Sequence, residues 1–172
     1  SSPAVGQVFY SPSWTLAAAT TGTYAIAAVR TAATECQGNI YITDGTTTMH
    51  YMVGTAITVS EYTLPETAKW IEEYHGHLCI AGLGTSGAYS VRLSTIDDFF
   101  TSTDASWPPT NQIFKCRDVV RGIKAFGGNL IVGTRTTIEA ISGYLPHDFA
   151  KTIVANAGCA SHWSMKEVPL MD

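Results

Sequence analysis

Charge is what this chain has least of. Asp, Glu, Lys and Arg make up 14% of its 172 residues, against about 25% in an average soluble domain. The ten Lys and Arg are scattered and net charge is −4, so no basic groove is offered to a nucleic acid. A channel that nucleic acid merely passes through needs none. The four cysteines, at 36, 79, 116 and 159, form no Cys-x-x-Cys pair, which argues against a zinc ribbon. No apolar run is long enough to cross a bilayer as a helix; Leu16-Ala17-Ala18-Ala19 is short and flanked by Thr. Neither Gly-x-Ser-x-Gly nor a P-loop occurs, so no nucleophile elbow or phosphate cradle is marked.

What the chain does have is a repeated turn and strand. Gly38-Asn39-Ile40-Tyr41-Ile42, Gly76-His77-Leu78-Cys79-Ile80 and Gly128-Asn129-Leu130-Ile131-Val132 share one pattern. A period of about 40–50 residues is that of a four-stranded propeller blade or a similar β-array. Aligning Gly76 with Gly128 puts Tyr74 on Phe126, Glu72 on Lys124, Ile71 on Ile123, Lys69 on Arg121 and Ala68 on Val120. Apolar residues fall on apolar ones and long charged ones on long charged ones, as in two copies of one hairpin. The first copy is weaker upstream of Cys36.

The expected fold is therefore all-β, with repeated antiparallel four-stranded sheets resembling propeller blades, in one domain spanning 1–172. Repeat units fall near 23–60, 68–116 and 119–168. In the first, Thr23–Val29, Ile40–Thr43, Thr48–Val53 and Ala56–Ser60 are the strand candidates, with Asp44-Gly45 as a hairpin turn. Gln7–Trp14 is an earlier strand candidate. Glu66–Tyr74 has helical spacing after Pro65, but its alignment with glycine-rich Val120–Phe126 makes it a strand. Lys151–Val154 and Trp163–Val168 are the last candidates. Ile40, Ile42, Leu78, Ile80, Leu130 and Val132 are expected to face inward, with Tyr41 and Cys79 on the opposite face. The cysteine spacings follow the repeat, so the thiols read as small buried residues in the reduced state. The chain lacks an initiator Met and both ends look cut, which suggests part of something longer.

Few side chains suggest chemistry. His75 and His77 flank Gly76 in the turn and read as a solvent-facing pair without a third metal ligand. Glu72-Glu73 and Asp97-Asp98 are adjacent carboxylates. Neighbours on a strand face opposite ways, so neither pair brackets one glycosidic bond. Asp97-Asp98 before Phe99-Phe100 reads as a turn cap over an aromatic anchor. The segment from Asp97 to Thr110 is the longest expected loop, and its Trp107-Pro108-Pro109 excludes a central strand. Phe99, Phe100 and Trp107 are its candidate interface residues. Ser102-Thr103-Asp104-Ala105-Ser106-Trp107 resembles the sialidase Asp-box, Ser-x-Asp-x-Gly-x-x-Trp, but Ser106 replaces the Gly and the Trp comes early.

A second resemblance covers about Trp70 to Val168 and, more loosely, Gly38 to Val59. Leu130-Ile131-Val132-Gly133-Thr134-Arg135-Thr136-Thr137-Ile138-Glu139-Ala140-Ile141-Ser142-Gly143, then Pro146-His147-Asp148-Phe149 and Gly158-Cys159-Ala160-Ser161, is similar to a stretch of tail-tube, nozzle and stopper proteins of short-tailed bacteriophages. Tyr89-Ser90-Val91-Arg92-Leu93-Ser94 and Asp97-Asp98-Phe99 resemble a further blade of that family. The resemblance implies a β-propeller region of a virion structural protein, oligomerising in a ring around the DNA channel, assembled in the host cytoplasm. Its partners would be other virion proteins and copies of itself, with passive DNA contact and no membrane helix. The chain is too short for a closed propeller of ordinary blades. No enzymatic activity, cofactor or metal is expected. The alternative is a carbohydrate-binding or sialidase-like module with Trp107 in a sugar-stacking loop.

Overall fold

The computed structural model describes residues 9–10, 15–16, 18–19, 31–52, 58–84, 87–100, 103–108 and 112–166. They build an all-β fold. Sheet 1 contains β4 (Ala32–Cys36), β5 (Asn39–Thr43), β6 (Thr48–Met52) and β7 (Thr58–Thr63). Sheet 2 contains β8 (Trp70–Tyr74), β9 (His77–Ala81), β10 (Ser90–Leu93) and β11 (Ile113–Lys115). Sheet 3 contains β12 (Val120–Phe126), β13 (Asn129–Thr134), β14 (Ile138–Ser142) and β15 (Ala150–Ala155). Each is an antiparallel meander in sequence order. The short β3 (Ala18–Ala19) joins the outer edge of sheet 1, parallel to β7. Two further short strands, β1 (Phe9–Tyr10) and β2 (Thr15–Leu16), pair with each other. Helical structure among the described residues is confined to one α-turn, α1 (Thr103–Ser106), and a 3-10 turn at His162–Ser164.

The three glycine turns occupy one structural position. Each joins the first and second strands of its sheet: Gln37-Gly38, His75-Gly76 and Gly127-Gly128. All six residues have positive φ, between 51° and 80°. That is the two-residue hairpin turn whose twist matches the flanking strands, and glycine at its second position adopts it without a Cβ penalty. Cys36–Asn39, Tyr74–His77 and Phe126–Asn129 close the three hairpins. The shared register puts equivalent residues on equivalent faces.

The sheets stack in series, β4 against β8 and β8 against β12. Sheet 2 is covered on both sides. Its Ile71, Leu78 and Ile80 join Tyr41, Cys36, Met49 and Ala32 in one core; its Tyr74, Cys79 and Ala81 join Ile123, Leu130 and Val132 in the other. Tyr41 and Cys79 do leave on the face opposite their neighbours, yet both are buried, because that face meets the next sheet. Of the six residues expected inward, five are buried. Ile40 is the exception at 44% exposed. It points to the side away from sheet 2.

Several boundaries differ from the sequence expectation. Sheet 1 begins at Ala32–Cys36; the Thr23–Val29 candidate lies outside the described residues, as does most of Gln7–Trp14. Alternation in Ala32–Cys36 is masked by small and polar residues, so it carries little apolar signal. Trp163–Val168 is not a strand over its described part: His162–Ser164 forms the 3-10 turn, with Ser164 N–H and Met165 N–H bonded back to Ser161 and His162 carbonyls. Among the described residues the last strand of sheet 3 ends at Ala155. The Asp44-Gly45 turn is a longer loop, in which the Asp44 carboxylate accepts from the Thr46 N–H and hydroxyl at 3.0 and 2.6 Å.

The equivalence of faces with inequality of burial gives a direct test. Leu130→Ala removes a fully buried side chain and should cost about 2–5 kcal/mol in urea denaturation. Ile40→Ala, at the same turn-relative position, should cost about 1 kcal/mol or less. Equal costs would contradict the stacking order.

Candidate functional site

Over its described residues, 97–100 and 103–108, the expected interface loop does not project. Phe99 is 2% exposed and Trp107 is fully buried. Both lie in the core between sheets 1 and 2, with Tyr41, Met49 and Leu83. Buried Arg92 explains the fold-back. Its guanidinium donates to the Trp107 carbonyl and to Glu66 Oε1, at 3.3 Å for the latter. Thr95 N–H also binds the Ser106 carbonyl at 2.8 Å. Asp98 Oδ1 accepts from the Ser106 hydroxyl at 3.1 Å and from the Phe100 N–H at 3.4 Å. Only Phe100 reaches the surface, 38% exposed, where it packs on Tyr51 at 4.6 Å and Tyr62 at 5.3 Å.

The turn histidines also differ from expectation. His75 is half-buried and packs on Tyr144 at 5.2 Å. His77 is fully buried. Its ring nitrogens lie 2.5 Å from the Ser94 carbonyl and 3.2 Å from the Tyr144 carbonyl. With the Tyr74 hydroxyl donating to the Gly143 carbonyl at 2.8 Å, they tie sheet 2 to the loop after β14. Turn proximity suggested solvent, whereas the neighbouring sheet's loop covers this side. Among the described residues no three His, Cys, Asp or Glu side chains are placed to share a metal ion.

One letter pattern has no counterpart in shape. Gly82-x-Gly84-x-x-Gly87 spells a dinucleotide fingerprint, which needs a strand leading into a helix. Here it connects the antiparallel β9 and β10. A Cβ on Gly82 would meet Lys69 at 2.9 Å and one on Gly87 would meet Leu83 at 2.7 Å, so close packing accounts for these glycines.

The most distinctive surfaces are the two ends of the stack. On sheet 3, the forward side, facing away from sheet 2, carries Lys124, Phe126, Ile131 and Ile138. Phe126 is 49% exposed, whereas Tyr74, its equivalent in sheet 2, is 2% exposed. The segment after β15 crosses back over this side. Cys159 lies on Gly133 and His162 on Gly122, where a Cβ would be 2.5 and 2.4 Å from them. His162 then stacks on Trp70, ring centres 5.0 Å apart. An open hollow of about 490 Å³ remains, lined by Phe126, Ile131, Ile138 and Met165 with Lys124 and Lys166. The rear side of sheet 1 presents Ala33, Glu35 and Ile40, all exposed. Sequence reasoning missed these end faces, although the repeat alignment names their positions.

Ion pairs hold sheet 3 and its loops. Glu139 is fully buried. It accepts from Lys151 Nζ at 2.6 Å, the Arg117 N–H at 2.8 Å and the Thr137 hydroxyl at 3.1 Å. Burial alone would raise its carboxyl, but these donors bring it below the ordinary glutamate value. The Leu145 N–H, then that of Tyr144, lowers Asp148, and the Val119 N–H, with Thr136 and Arg135, lowers Asp118. All four cysteines are free. Burial pushes the Cys36 thiol up to about 11 and Cys116 to about 12, and Cys79 well above its usual range.

No protein-family model matches this chain, and no curated protein matches it in sequence.

Two expectations follow. Carboxylates lowered in the folded state stabilise it above their unfolded values and lose that contribution as pH falls through the folded ones. The urea midpoint should therefore hold above about pH 5 and fall below about pH 4, and Glu139→Gln should flatten that fall. An unchanged slope in the variant would contradict the assignment. For the thiols, half-exposed Cys159 should react with a disulfide reagent in the native protein, while Cys36, Cys79 and Cys116 should react only on unfolding. Rapid native labelling of all four would contradict their burial.

Proposed function

We propose that this chain is a non-catalytic structural module, made of propeller-like blades, in a bacteriophage tail nozzle or head-to-tail connector. It works as part of an oligomeric ring around the DNA channel of the virion. One observation carries the reading: three antiparallel sheets stack through equivalent faces, and Ile40 and Phe126 on the end sheets stay partly exposed. A blade array of this kind transmits packing from sheet to sheet and is suited to assembly. Sparse charge and a net negative balance suit a wall that DNA passes without being gripped. The likeness to nozzle and stopper proteins supplies the virion setting.

A carbohydrate-binding module is the second reading. Exposed Phe100, packed on the partly buried Tyr51 and Tyr62, favours it, because an exposed aromatic ring offers sugars a stacking surface. Trp107 is buried and cannot serve as the stacking residue in this arrangement.

Quantitative mass spectrometry of purified phage particles, paired with a glycan array on the isolated chain, separates the two. The structural reading expects the chain at fixed stoichiometry in particles and no glycan signal. Absence from particles, with glycan binding lost in Phe100→Ala, would overturn it.

A further inference from the structure

We propose that the strand ends of sheets 2 and 3 away from the glycine turns bind single-stranded nucleic acid, bases stacking on Tyr89 and Trp163 and phosphates held by the Lys and Arg around them. The structural-module reading needs no such grip, so this is a separate activity with its own test.

The ten Lys and Arg form no run in the sequence, but the topology gathers half of them. Strands β8 and β12 begin at this end, and β11 and β13 finish there. Lys69 precedes β8, Lys115 closes β11 with Arg117 just after it, Arg121 lies at the irregular start of β12, and Arg135 is in the turn after β13. All five are exposed. Backbone hydrogen bonds join the segments that carry them. Val120 N–H donates to the Ala88 carbonyl at 2.9 Å, Cys116 N–H to the Tyr89 carbonyl at 2.6 Å, and Arg135 N–H to the Val119 carbonyl at 3.0 Å. Aligned on Gly76 and Gly128, Lys69 and Arg121 are equivalent. Their strands β8 and β12 pack on each other, and stacked sheets lie about 10 Å apart.

Two exposed aromatic rings stand among these cations. Trp163 is 38% exposed and Tyr89 46%. The segment after β15 brings Trp163 to the junction of sheets 2 and 3. His162 lies over Gly122, next to Arg121, and Trp163 meets Trp70, next to Lys69, with ring centres 6.2 Å apart. The Tyr89 carbonyl is held by Cys116, between Lys115 and Arg117. A single strand uses this combination, because every base has a face to stack and every nucleotide a phosphate. An acidic peptide would engage the cations and leave the rings idle. A duplex keeps its bases stacked inside.

The carboxylates agree with this assignment. Asp118 pairs with Arg135 at 3.1 Å, Glu66 with buried Arg92 at 3.3 Å, and Glu139 with Lys151 at 2.6 Å. Among the described residues no carboxylate forms an ion pair with Lys69, Lys115, Arg117 or Arg121. Exposed Asp97 and Asp148 lie at the other end, Asp97 N–H on the Gly76 carbonyl and Asp148 in the loop after β14. The two ends therefore differ in sign, which steers an anion to one of them.

The test is fluorescence anisotropy of a labelled oligothymidine, about 15 nucleotides long, with the whole chain across a salt series. Binding should be seen at low salt and weaken with a log–log slope of about −3, roughly 0.7 for each of the cations outside ion pairs. Tyr89→Ala and Trp163→Ala should each weaken binding about tenfold, and Trp163→Phe should keep most of it. Arg121→Ala should make the slope shallower by about 0.7. Phe126→Ala, which removes an exposed ring at the glycine-turn end, should bind like the wild type. Circular dichroism checks that each variant keeps its β signal. No binding at low salt overturns the proposal, as do Tyr89 and Trp163 variants that bind like the wild type. A duplex of the same length bound as tightly also overturns it. So does polyglutamate that competes as well as unlabelled oligothymidine, which would mark an acidic protein as the partner. None of these readouts depends on particle composition, so failure here and failure of the virion reading are distinct results.

Discussion

Two consecutive residues of positive φ between the first and second strands decide where the side chains of that hairpin point. A slip of one residue would exchange its two faces. The same turn occurs at Gln37-Gly38, His75-Gly76 and Gly127-Gly128, so the three sheets share one register. That shared register lets Leu78 and Leu130 each face the preceding sheet and Cys79 face the following one. The cores form because successive sheets present matching sides, with the shape of each hairpin fixed locally before long-range packing begins.

From this constraint follows an asymmetry between the middle of the stack and its ends. Sheet 2 has apolar residues on both sides and both are covered. Sheets 1 and 3 have the same two-sided pattern, with Ile40 and Phe126 left partly exposed. The side chains that bind strand ends and loops are polar and buried: Arg92 for the 97–108 segment, His77 for the loop after β14, Glu139 for the start of β12. They fix where the loops go, while apolar packing fixes the order of the sheets.

The hairpins were legible because their signals are local. Gly38, Gly76 and Gly128 mark the turns, and the alternation after them gives the strands. Strand β4 was not legible, because Ala32, Ala33 and Thr34 have no apolar period; its burial comes from Tyr41 and Ile71 beside it. Trp107 looked like a surface anchor because prolines follow it. Its burial depends on Arg92, 15 residues earlier, whose guanidinium captures the Trp107 carbonyl. His77 looked exposed beside a turn, and its cover comes from Tyr144, 67 residues later.

Native-state hydrogen exchange tests the serial stacking most directly. Amides in β8 and β9 lie in the sheet covered on both sides, so they should open only with global unfolding. Amides in β14, β15 and the outer part of sheet 1 should exchange through smaller openings of lower free energy. Protection that is greatest in sheet 2 and falls toward both ends is the predicted result. Slowest exchange in an end sheet, or uniform protection across all three, would contradict the account.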